Sequence, residues 1–69
     1  MKFEVNIECN NSAFEDENIN SEVARILNHL ASMIQDGYTS SYLTDINGNS
    51  CGFASFKNDG IYNFYSDKL

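Results

Sequence analysis

The sequence predicts an α+β domain in which one helix packs on a small, mainly antiparallel four-stranded sheet, in chain order β-α-β-β-β. Three observations predict it. Residues 2–9 alternate strictly, residues 19–34 carry one apolar stripe at helical spacing, and two glycine turns punctuate a strand-rich second half. At 69 residues the chain is expected to be a single domain over 1–69. A domain this size buries only about 60% of the surface its unfolded chain exposes, so its core is small.

The first element follows from alternation. Phe3, Val5, Ile7 and Cys9 share one face, and Lys2, Glu4, Asn6 and Glu8 share the other, the pattern of a strand with one wet face. Asn10-Asn11-Ser12 ends it, because short polar side chains bond the backbone and favour turns. Residues 13–18 form an acidic connector whose large apolar side chain, Phe14, is expected to tuck under the helix start.

The helix is predicted from Ile19, Val23, Ile26, Leu27, Leu30, Met33 and Ile34, which recur in steps of three and four. Asn18, Asn20 and Ser21 are candidate N-caps, and Glu22 sits well for the positive end of the helix dipole. Gly37 is the expected stop. Strand propensity then rises from Tyr38 to Ile46, and Asn47-Gly48 predicts a two-residue hairpin into a strand over Asn49–Lys57, with Gly52 a possible bulge. Asn58-Asp59-Gly60 predicts a second hairpin and Ile61–Ser66 the fourth strand, so that the last three strands make a meander.

Charge and composition exclude several functions. Ten Asp/Glu against four Lys/Arg leave a net charge of −6, which opposes direct binding to nucleic acid. Hydrophobic residues at 42% are too many for a disordered chain. The start of the chain threads charges through its apolar residues instead of forming a secretory stretch, and no apolar run is long enough for a membrane span. A cytoplasmic protein with reduced Cys9 and Cys51 is the expectation. The pattern points to no cofactor. Cys9, His29 and Cys51 lie too far apart for zinc spacing. A calcium loop starting at Asp45 would need Gly and Glu where Ser50 and Phe56 stand.

No catalytic constellation is legible. His29 is the one histidine, placed on the polar helix face with no local nucleophile or orienting group. Binding is better supported. Glu4, Glu8, Glu15, Asp16, Glu17 and Glu22 fall in an interval free of Lys and Arg, which suits docking on a basic groove. Aromatic residues gather at the other end, at Phe53, Phe56, Tyr62, Phe64 and Tyr65, and a helix covering one sheet face would leave some of them open for contact. The candidate contact residues are Glu15, Asp16, Glu17, Glu22, Tyr62 and Phe64, and the surplus aromatic surface predicts a homodimer.

Ala13-Phe14-Glu15-Asp16, then Glu22-Val23-Ala24-Arg25-Ile26-Leu27 with Leu30-Ala31, then Gly37, Leu43-Thr44-Asp45-Ile46-Asn47-Gly48-Asn49 and Gly52, resemble a family of small bacteriophage and prophage proteins. The resemblance covers roughly positions 2–53, and the aromatic stretch beyond Phe53 departs from it as an added strand. It implies a phage origin, and by association an inhibitor of a bacterial defence complex, such as an anti-CRISPR protein, or of another nucleic-acid-processing complex. The rival readings are a homo-oligomeric structural or accessory phage protein, and a small hydrolase or ligand-sequestering protein built around His29.

Overall fold

In a computed structural model of the chain, residues 1–15 and 17–57 are described. They form β1 (Lys2–Ile7), a 3-10 turn (Ser12–Phe14), α1 (Asn18–Gln35), β2 (Ser40–Thr44) and β3 (Ser50–Lys57). The arrangement is α+β, one helix on an antiparallel sheet in the order β1-β3-β2.

The expected four-stranded sheet is therefore corrected to three strands. The strand expected over 61–66 and its turn at 58–60 lie outside the described residues. A meander would have set that strand beside β3, and β1 holds the place. One side of β3 pairs with β1 from Lys2↔Lys57 to Ile7↔Gly52. The other side pairs with β2 from Ser40↔Ser55 to Leu43↔Gly52. A hairpin signal is local, whereas the pairing of β1 with β3 joins segments some fifty residues apart and leaves no trace in neighbouring residues.

Cross-strand partners share a face, so Phe3, Val5 and Ile7 lie with Ala54, Phe56, Leu43 and Ser41 on the helix side. The core there consists of Phe14, Ile26, Leu30, Leu43, Cys51 and Ala54, edged by Phe3, Ile7, Cys9, Ala13, Val23 and Ile34. Phe14 is buried beneath the helix start. Val5 shares the inward face of β1 yet stays exposed, because α1 approaches β2 more closely than it does β1.

Cys51 and Ala54 are both buried although a strict strand would turn them to opposite faces. The register explains it. Leu43 pairs with Gly52 and Thr44 with Ser50, so Cys51 is the extra residue of a β-bulge and swings into the core.

The helix ends differ in how well the sequence announces them. No side chain caps the N-terminus, where Glu17 holds the cap position. The Asn18 N–H donates to the Glu15 carbonyl at 3.0 Å, so the backbone leading into the helix satisfies the first of its free N–H groups. Ser21 Oγ donates back to the Asn18 carbonyl instead. At the other end the Tyr38 N–H donates to the Met33 carbonyl (3.1 Å) and the Gly37 N–H to the Ile34 carbonyl (3.0 Å), while Gly37 takes φ +107°. This is a Schellman closure, and it needs the glycine.

The β2–β3 loop is longer than the two-residue hairpin expected from Asn47-Gly48. Asp45 and Asn49 close a three-residue loop through Asp45 N–H to Asn49 carbonyl (2.9 Å), with Gly48 at φ +85°. Asp45 reshapes it, because its Oδ1 accepts the N–H groups of both Asn47 and Asn49 at 2.9 Å.

Candidate functional site

The polar residues that meet in space come from the N-terminal half of α1, the β2–β3 loop and the turn after β1. Glu22 is buried, and its Oε1 and Oε2 accept Arg25 Nε (3.2 Å) and Nη2 (2.8 Å). Oε2 also accepts the Ile46 N–H at 2.8 Å. Arg25 Nη2 reaches on to the Thr44 carbonyl at 3.2 Å. Beside it, buried Asp45 adds a bond from Asn11 Nδ2 to Oδ2 at 2.9 Å to the two that its other oxygen accepts. The segments around Glu22 and around Asp45 thus join in one hydrogen-bonded clamp between helix and hairpin.

The clamp is built to hold charge. The Arg25 hydrogen bond and the Ile46 N–H keep the Glu22 carboxyl below the ordinary carboxylate range, outweighing the opposing effect of burial. Backbone donation from Asn49, with Asn11 and Asn47, does the same for Asp45. Both acids bind protons less readily folded than unfolded. Their contribution to stability is therefore complete at neutral pH and is lost as the pH falls through and below the ordinary carboxylate range. Thermal unfolding between pH 7 and pH 3 is expected to show this acid-side drop in Tm, and Glu22→Gln is expected to flatten it. An equally steep drop in the variant would remove Glu22 as a source.

The acid interval read from the sequence is divided by the fold. Glu22, expected among the contact residues, has its carboxylate engaged inside the structure. Glu22 stands just before Val23 and one turn before Ile26, and as a charged residue at the helix start it gave no sign of burial, since that burial depends on the loop that donates to it. Glu15 and Glu17 are exposed at the helix start, and Asp16 lies outside the described residues. Glu4 is on the uncovered face of β1, 3.7 Å from Lys2, an exposed pair of little energetic weight. Glu8 follows on the same face, where its N–H extends the ladder to the Cys51 carbonyl at 2.7 Å.

Tyr62 and Phe64 also lie outside the described residues. The uncovered sheet face carries a different aromatic pair, Tyr42 and Phe53, with ring centroids 4.9 Å apart and planes tilted by 57°. Tyr42 is 77% exposed. Its position between Ser41 and the buried Leu43 is the signal that places it outward, by alternation. Phe56 instead stacks on Phe3 across the strands on the helix side, at 4.7 Å.

His29 is exposed and lines a shallow cleft of about 140 Å³ with Arg25, Ile26, Tyr42, Leu43 and Thr44. Among the described residues it has no hydrogen-bonded nucleophile or orienting acid. Cys51 is buried and Cys9 half-buried, both as free thiols, and burial pushes the Cys51 thiol up, which keeps it protonated. Among the described residues no three His, Cys, Asp or Glu side chains gather as metal ligands, and no helix is long and apolar enough to cross a membrane.

Comparison with known protein families, characterised proteins and solved structures returns no match.

Proposed function

We propose that this chain is a non-enzymatic binding protein that docks on a basic surface of a partner protein, and that it serves a phage as an inhibitor of a bacterial defence complex, anti-CRISPR-like, or of another nucleic-acid-processing complex. One observation carries the binding reading. The buried acids are consumed within the clamp, while an exposed aromatic pair and carboxylates without an ion pair among the described residues are left at the surface. A net charge of −6 suits electrostatic steering toward a basic partner and opposes phosphate. The assignment to phage counter-defence rests on the sequence resemblance.

Binding kinetics against the basic partner captured from host lysate test the reading. Changing Glu15, Asp16 and Glu17 together to Gln, Asn and Gln is expected to slow association about tenfold at low salt and to flatten its salt dependence. Tyr62→Ala or Phe64→Ala is expected to speed dissociation instead, as loss of a buried anchor does. A triple variant that associates at the parental rate at every salt concentration would overturn the steering role. A second reading, a homo-oligomeric accessory protein, is favoured by the same exposed Tyr42–Phe53 pair, which a second copy could cover. Sedimentation at micromolar concentration decides it, since a clean 7.8 kDa species excludes the dimer.

A further inference from the structure

We propose that the cleft between Glu8 and Tyr42 on the uncovered sheet face seats an arginine side chain of the partner. The inference rests on the reading that the partner is basic and names the group it presents. The cleft has a volume of about 320 Å³ and is lined by Glu8, Asn10, Asn11, Tyr42, Ser50 and the bulge at Cys51–Gly52. No Lys or Arg lines it.

Each wall suits a guanidinium. Glu8 is exposed, and among the described residues its carboxylate has neither an ion pair nor a hydrogen bond, so both oxygens are open to a two-pronged donor. Asn11 donates one of its two amide N–H groups to Asp45 at 2.9 Å, and its carbonyl oxygen accepts no hydrogen bond among the described residues, which leaves an acceptor open. Guanidinium carries five N–H donors and no acceptor, and an acceptor-rich lining matches it. The Tyr42 ring is braced by Phe53 at 4.9 Å, so a face for a flat cation is already set before binding. The bulge contributes too, because Cys51 turns inward and Gly52 has no side chain, and nothing rises from β3 at that point to fill the space.

Two other clefts along β2, among the described residues, lack this combination. The one beside Phe53 and Ser55 has Lys57 on its wall and no carboxylate. The one under His29 holds Arg25, whose guanidinium is already paired with Glu22. A planar cation is favoured over an ammonium because only the former can stack on Tyr42 while both its prongs meet Glu8.

The test is a titration of the isotope-labelled full chain, followed by two-dimensional NMR, with three capped tripeptides: Gly-Arg-Gly, Gly-Lys-Gly and Gly-citrulline-Gly. The arginine peptide is expected to shift the amides of Glu8, Asn10, Tyr42 and Ser50, the lysine peptide to bind more weakly there, and the uncharged citrulline peptide not at all. Glu8→Gln and Tyr42→Ala each are expected to weaken the arginine peptide by about threefold or more. Both positions are exposed, and unchanged amide shifts in the core report that each variant is folded. Shifts spread equally over Glu15, Glu17 and Asp36, or a Glu8→Gln variant that titrates like the parent, would overturn the cleft. The two proposals fail separately. A Glu8→Gln chain that binds the host partner with parental affinity removes the cleft and leaves the basic partner standing. Arginine binding at the cleft without capture of any basic protein does the reverse.

Discussion

Leu30→Ala is expected to cost about 2–5 kcal/mol of folding stability, the range for deleting a buried leucine side chain. Leu30 is 4% exposed and shares the core with Ile26, Leu43 and Ala54, so truncation leaves a void between helix and sheet. Small domains hold about 5–15 kcal/mol in total, and this one variant would remove a large share. Leu27 supplies the control. It is the same residue type on the same helix, yet 42% exposed, and Leu27→Ala is expected to cost far less. Urea unfolding followed by circular dichroism measures both. Equal losses at the two positions would mean that the buried stripe of α1 is misassigned.

Gly52→Ala is expected to be nearly as damaging for a different reason. A β-carbon at Gly52 would overlap the carbonyl oxygen of Asn6, a backbone atom of β1 that no rotamer change can move aside. β1 would have to retreat, loosening Asn6↔Phe53, Ile7↔Gly52 and the Glu8–Cys51 hydrogen bond. The cost is expected at about 1–3 kcal/mol, as for other overpacked sites. Gly48→Ala is the contrast, because open space surrounds that position and only its positive φ is strained. Hydrogen exchange tells the two apart. Gly52→Ala should speed exchange at the Glu8 amide, whereas Gly48→Ala should leave it protected.

Helix α1, the place of each described strand and the glycine that stops the helix were legible in the chain itself. Each depends on residues within a few positions of one another, where spacing and backbone preference act directly. The apolar steps from Ile19 to Ile34 lie within Asn18–Gln35, and alternation from Phe3 to Ile7 marks β1. Gly37 closes the helix because no other residue takes its φ of +107° so readily. What only the tertiary structure decided involves partners distant in the chain. β1 took the side of β3 that local turn signals offered to residues 61–66, because pairing between remote segments is governed by shape and burial across the whole sheet. Glu22 read as a surface acid at a helix start, and the Ile46 N–H, 24 positions away, is what holds it inside with Arg25. Asn11 read as a turn residue, and it became the amide that fixes Asp45. A buried polar group is stable only where its partners converge, and convergence is a property of the folded chain, not of the spacing of its residues.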